Sequence, residues 1–187
     1  MNKLNLRVLA IFSLIIISSF NIKAQNLFER DSVIQVQHLN SAQIFDGVKR
    51  WFVSSCKDSR DVIQIEDKAN GSIVGKFFFP FEINNLTYAA GTGYVSFVVD
   101  IKIREGRFKV KLTNFSHTST SPSYSEWWSM GYVKEEIPNE WKSGFKWKQK
   151  RGVYKHLLPE IEDYSQTIFY SLSNYLQQYK PDEDDDW

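Results

Sequence analysis

The sequence predicts an α+β domain. One antiparallel sheet of about five strands is built in the order strand, helix, four strands, helix, and both helices cover one face of it. Three observations carry this prediction. Residues 95–112, "VSFVVDIKIREGRFKVKL", alternate apolar and charged side chains on both sides of Glu105-Gly106. Residues 61–81, "DVIQIEDKANGSIVGKFFFPF", alternate in the same way on either side of Asn70-Gly71. Near the two ends of the chain, "NSAQIFDGVKRWFVSSC" (40–56) and "LLPEIEDYSQTIFYSLSNYLQQY" (157–179) repeat apolar residues at helical spacing.

The first strand falls in residues 31–37, where Val33 and Val36 alternate imperfectly. The first helix follows. Ile44, Phe45, Val48, Trp51 and Phe52 form its apolar stripe, and Asn40 or Ser41 caps its start. Gly47 weakens it by roughly 1 kcal/mol relative to alanine. Side chains on a strand alternate faces, so parity tests register. Ile73, Gly75, Phe77, Phe79, Phe81 and Ile83 form one apolar face, and Ile63 with Ile65 is the clearest apolar pair on the incoming strand. A three-residue turn, Ala69-Asn70-Gly71, matches these sets by pairing Ile65 with Gly75 and Ile63 with Phe77, with Gly71 left-handed. In the next hairpin, a two-residue turn at Glu105-Gly106 pairs Ile103 with Phe108, Ile101 with Val110 and Val99 with Leu112. Asp100, Lys102, Arg104, Arg107, Lys109 and Lys111 are left on the wet face. The last helix carries Leu158, Ile161, Ile168, Leu172, Tyr175, Leu176 and Tyr179; Pro159 suits its first turn and Pro181 stops it.

Residues 1–24 have the parts of a secretory signal peptide: basic Lys3 and Arg7, a mostly apolar run over 8–20, and Ala24 at a small-residue cleavage point. As a helix, that run spans about 20 Å, short of the ~30 Å needed to cross a bilayer. The chain is therefore expected to be exported, to the periplasm or beyond the cell, as a soluble single domain over 25–180. Cleavage removes Lys3, Arg7 and Lys23 and no acid, leaving 20 basic against 22 acidic residues. That balance argues against a nucleic-acid partner. The one cysteine, Cys56, permits no internal disulfide and reads as inert and half-buried.

An aromatic residue at the end of the first helix (Trp51), then "DVIQ" at 61–64, then the charged turn Glu66, Asp67 and Lys68, then Ile73, Gly75 and Lys76 resembles a family of exported bacterial domains. That family has no assigned function and a TATA-binding-protein-like (TBP-like) fold. The resemblance covers about 32–115. It implies the fold and an exported location, and it supplies no catalytic residues.

The chemistry of the sequence is mostly absence. His38, His117 and His156 are scattered, and no HExxH, Cys-x-x-Cys, G-x-S-x-G or phosphate-cradling loop occurs. The chain is accordingly read as not an enzyme, with no catalytic, cofactor-binding or metal-ligating set. "GTG" at 91–93 reads as a loop, and "HTSTSPSYSEWW" from His117 as a mobile polar loop. Glu135-Glu136 and Glu160, Glu162 and Asp163 read as solvated. The tail "PDEDDDW" (181–187) reads as acidic and disordered, without the spacing of a calcium loop.

The informative segment is an aromatic and basic insertion at about 117–156. Residues 142–155 hold six basic residues and no acid: Lys142, Lys146, Lys148, Lys150, Arg151 and Lys155. Phe145, Trp147 and Tyr154 alternate with them, and Trp127, Trp128, Tyr132 and Trp141 precede them. Two arrangements fit. One is a hairpin over the sheet, aromatics inward and lysines outward. The other is a binding surface of Trp127, Trp128, Trp141, Lys146, Trp147, Lys148, Lys150 and Arg151. In the second, the rings stack and the cations meet phosphate or carboxylate. For an exported chain the expected partner is an anionic glycan or lipid headgroup, or an envelope protein. The alternatives are a structural subunit of an envelope complex, using exposed Phe78 and Val98, and a carrier of a small apolar ligand between the sheet and the last helix.

Overall fold

The computed structural model describes residues 26–55 and 63–181. The expectations for the signal peptide, for Cys56 and for the acidic tail lie outside the described residues. Six strands, β1 (Arg30–Gln35), β2 (Ile63–Asp67), β3 (Ser72–Phe81), β4 (Gly93–Arg104), β5 (Arg107–Ser119) and β6 (Gly131–Tyr132), form one antiparallel sheet. Its order is β1-β5-β4-β3-β2, with β6 also paired to β5. Three helices accompany it: α1 (Ser41–Ser55), the short α2 (Ser125–Trp128) and α3 (Lys148–Gln178). The α+β prediction holds, with a sixth strand and a third helix that the periodicities did not reveal.

The sheet is dry on one face because its apolar residues share parity. Phe77, Phe79, Phe81, Phe97, Val99, Ile101, Phe108 and Val110 are buried, and α1 and α3 roof them. Trp51 and Phe52 of α1 lie 5.7 and 5.3 Å from Phe77, and Tyr164 of α3 stacks on Phe79 at 4.1 Å. The β4–β5 hairpin has the predicted register throughout its turn end: Ile103 with Phe108, Ile101 with Val110, Val99 with Leu112. Gly106 takes φ +66° there. Farther along, the register slips by one residue at Asn114, which adopts φ +56°. The buried parity of β5 therefore changes from even (Phe108, Val110, Leu112) to odd (Phe115, His117, Ser119).

Three expectations are corrected. The β2–β3 connection has four residues, 68–71, so that Asp67 faces Ser72 and Ile65 faces Val74. The cause is the Asp67 carboxylate, which accepts the Asn70 backbone N–H (3.0 Å) and side-chain amide (2.7 Å) and so closes a wider turn. A bulge then brings Ile63 opposite Gly75, and Ile65 faces water, 56% exposed. Gly71 is left-handed as expected, and a Cβ there would come 2.8 Å from the Ile103 carbonyl. Second, α3 begins at Lys148, and Pro159 lies inside it on an exposed position rather than in its first turn. Buried Lys150, Val153, Tyr154 and Leu157 already follow the helical period before the proline. The hairpin expected over 142–155 is therefore absent, and Lys150 points inward. Third, the segment from His117 opens as strand, with His117 and Ser119 buried, not as a mobile loop.

Asn40 and Gln43 cap α1 reciprocally: each backbone N–H donates to the other's side-chain oxygen, at 3.0 and 2.9 Å. Gly47 has a packing reason. A Cβ there would lie 2.5 Å from Leu176 Cδ2, so the missing side chain lets α3 cross α1 closely.

Candidate functional site

The insertion leaves the sheet after Ser119 and returns to it as β6 and then α3. Side chains pin it to the sheet at defined points. The Met130 N–H donates to His117 Nδ1 at 3.1 Å, and His117 Nε2 lies 2.9 Å from the Gly91 carbonyl. One ring nitrogen thus accepts and the other donates, which is the pattern of neutral imidazole. Burial pushes the His117 pKa down to about 4; the Gly91 carbonyl opposes this and the nearby Lys150 charge assists it. Ser119 N–H donates to Ser129 Oγ (3.0 Å), which donates in turn to the Ser125 carbonyl (2.8 Å). Buried Tyr154 of α3 accepts the Lys134 N–H at 2.6 Å and donates to the Lys134 carbonyl at 2.8 Å. Desolvation raises its pKa to about 12, so it stays a neutral donor.

These pins assemble an indole cluster around one ammonium. Trp127 stacks on Trp147 at 5.3 Å and 16°, and Trp147 on Trp141 at 6.4 Å and 26°. Lys150 Nζ lies 4.9 Å from the Trp127 ring centroid and 4.8 Å from that of Trp141. Lys150 is only 8% exposed. Its hydrogen-bond acceptor is the Ser129 carbonyl at 3.5 Å, and among the described residues no carboxylate stands within 4 Å of it. Desolvation lowers its pKa. Lys150 and Trp127 line an open cleft of about 590 Å³ together with Tyr124, Ser125 and Glu126.

Of the eight residues expected at the surface, Trp127, Trp141, Trp147 and Lys150 come together. Arg151 braces them from behind: its guanidinium donates to the Trp141 carbonyl (2.7 Å) and the Gly144 carbonyl (3.1 Å). Trp128 turns away and packs against the hydrophobic core. Lys148 is exposed on the first turn of α3, and Lys146 sits mid-turn in the 3-10 segment Phe145–Trp147. Of the carboxylates expected to be solvated, Glu160 and Asp163 are exposed, Glu136 is largely exposed beside Lys142 (3.2 Å), and Glu135 and Glu162 are partly covered in pairs with Arg30 (2.8 and 2.6 Å). Among the described residues no group of His, Cys, Asp and Glu is placed to hold a metal ion, and no helix is long and apolar enough to cross a membrane.

Residues 31–118 match the profile of a domain of unknown function with TBP-like fold, DUF4468. Over that segment the chain is similar to the DUF4468 family. Its backbone is similar to the crystal structure of a DUF4468 family protein from Bacteroides ovatus, with TM-score 0.55 and 20% identity over 84% of this chain and 89% of that one. It is also similar to a TBP-like protein from Parabacteroides distasonis, with TM-score 0.62 and 11% identity over 81% and 94%. No curated protein matches the chain. At these identities the likeness concerns the fold, and no enzymatic family is indicated. The DUF4468 match closes at Thr118, one residue after the buried His117, so the indole cluster lies beyond it.

Sequence reasoning missed Tyr124, Ser125 and Glu126 as parts of the cleft, and His117 as an anchor of the inserted segment. A signal for His117 existed: the buried parity of β5 resumes at Phe115, which puts His117 on the dry face.

Proposed function

We propose that the protein is an exported, non-enzymatic binding module whose cleft at Lys150 takes an anionic group of the envelope, from a glycan or a lipid headgroup. The observation behind this is the Lys150 ammonium: buried, ringed by indoles and, among the described residues, without a carboxylate within 4 Å. A buried charge held only by ring quadrupoles and one long carbonyl contact keeps much of its desolvation cost, and an incoming anion offsets it. Binding to a panel of anionic glycans and anionic vesicles, at low and high salt, tests the reading. We expect salt-sensitive binding that Lys150→Met abolishes. No binding to any anionic probe, or full binding by Lys150→Met, overturns it.

A second reading, a structural subunit of an envelope complex, has its own support. On the open sheet face, Phe78 is 73% exposed, Tyr132 63% and Tyr94 41%, and strand pairing sets Phe78, Ser96, Ser116 and Tyr132 in one row. Light scattering and chemical cross-linking in envelope extract test it: a monomer with no cross-linked partner removes it. Carriage of an apolar ligand has no comparable support, because Tyr164 on Phe79 fills the space between sheet and α3.

A further inference from the structure

Resting on the reading of the Lys150 cleft as an anion site, we infer the class of its ligand: a carboxylated sugar, with one carboxylate on the Lys150 ammonium and its ring against Tyr124. Charge count carries the first part. The cleft is lined by Tyr124, Ser125, Glu126, Trp127 and Lys150, one cation and one anion. Two neighbouring cations are committed elsewhere, Arg151 to the Trp141 and Gly144 carbonyls and Lys142 to Glu136. A single ammonium matches a monoanion. A phosphomonoester dianion or a polysulfated chain calls for several donors, and Glu126 at the mouth repels both.

The lining decides the second part. It contains no aliphatic side chain that would accommodate an acyl tail, and Glu126 disfavours approach to an anionic bilayer. It does contain what a polyhydroxylated ring uses. Tyr124 is 82% exposed and presents an open aromatic ring; Ser125 and Glu126 donate to and accept from hydroxyls. Trp127, already stacked on Trp147, forms the wall rather than the platform. Tyr124 is held at φ +60°, a left-handed backbone for a bulky residue, and α2 begins directly after it. The backbone thereby sets where the Tyr124 side chain leaves the chain, at the head of α2. A cleft of about 590 Å³ lies in the range of small-molecule sites, roughly 300–1,000 Å³, and has room for more than one sugar unit.

The test is calorimetric titration of the full chain with galacturonate, its methyl ester, a neutral glucose oligomer, glucose 6-phosphate and phosphatidylglycerol vesicles. Galacturonate is expected to bind, and methyl esterification to weaken it about tenfold or more, the loss of one charge-assisted contact. Lys150→Met should weaken it to the same degree and Tyr124→Ala severalfold. Circular dichroism and thermal melting check that both variants fold, and the ester comparison needs no variant at all. Equal binding of acid and ester overturns the inference. So does preference for glucose 6-phosphate or vesicles; if Lys150→Met abolishes that binding, the anion-site reading stands while the sugar class falls. Silence from every anionic probe removes both.

Discussion

The helix-roofed sheet and the inserted segment are stabilised in different ways. The sheet and its two long helices rest on burial: Phe97 alone faces Phe77, Phe79, Phe115 and Tyr164, with ring centroids 5.1–6.2 Å apart. The segment after Ser119 buries Met130 and Val133 in the same core, but it is positioned by single directed bonds, from His117, Ser129, Tyr154 and Arg151. Burial is shared among many contacts and tolerates the loss of any one bond. A directed bond has one partner, and its loss is local. The candidate site stands on the second kind of structure, bolted to the first.

The largest test of this contrast is Phe97→Ala. It deletes a ring that is 1% exposed and stacked on two others, and it should cost about 3–5 kcal/mol. Denaturant unfolding, followed by far-ultraviolet circular dichroism and by tryptophan fluorescence, should show one coincident transition at a lower midpoint. Separate shifts of the two signals would mean that sheet and insertion do not unfold together.

Next comes pH. His117 is neutral in the fold with a pKa of about 4, against about 6.5 when unfolded. Between these values the unfolded chain binds a proton that the folded chain does not, so stability falls as pH is lowered through this window. The contribution is complete above about 6.5 and is lost by about 4, roughly 3 kcal/mol in all. Protonation also removes the acceptor for the Met130 N–H. Hydrogen exchange at pH 4.5 should therefore show Met130 and its neighbours losing protection before the β4–β5 hairpin does, and His117→Gln should flatten the pH dependence. Uniform loss across the molecule would contradict the view of His117 as a local bolt.

The same contrast explains what could be read from the sequence. The β4–β5 turn and its pairs were legible because both strands alternate strictly and Gly106 leaves one turn length. The β2–β3 turn was not, because the Asp67 side chain, rather than the apolar pattern, sets its length. The indole cluster was legible as composition but not as geometry. Lys150 belongs to a helical period, whereas Phe145 and Trp147 alternate with lysines and suggest a strand. Pro159 then masked the start of α3. Trp127 and Trp128 are adjacent, and only the short α2 decides that the first joins the cluster and the second the core. Bonds such as those of Ser129 and Tyr154 join residues 10 and 20 apart with no periodicity to announce them.

A smaller effect is expected at the start of α1. Asn40→Ala removes the oxygen that accepts the Gln43 N–H and should cost about 1 kcal/mol. The loss should appear as a lower midpoint with an unchanged denaturant slope, since α1 is roofed onto the sheet and unfolds with it. A changed slope would place α1 outside the cooperative unit.

The smallest effect falls where the two kinds of structure meet. Arg30 on β1 reaches Glu162 of α3 at 2.6 Å and Glu135 of the insertion at 2.8 Å, while its guanidinium carbon lies 4.0 Å over the Phe28 ring. Burial alone would raise the Glu162 pKa, but hydrogen bonds from Gln166 and Arg30 hold it below the ordinary value. These groups are 30–38% exposed, so solvent screens the pairs and Arg30→Met should cost only about 0.5–1 kcal/mol globally, less at high salt. Its local consequence should be the more telling one. Asn26 and Phe28 pair with the insertion through Glu135 N–H to Asn26 and Phe28 N–H to Val133. Without Arg30, exchange should quicken at Glu135 and Phe28 while the Phe97 amide stays protected. Equal quickening at Phe97 would mean that the ion pairs support the sheet itself, and the division between shared burial and directed bonds would not hold at this junction.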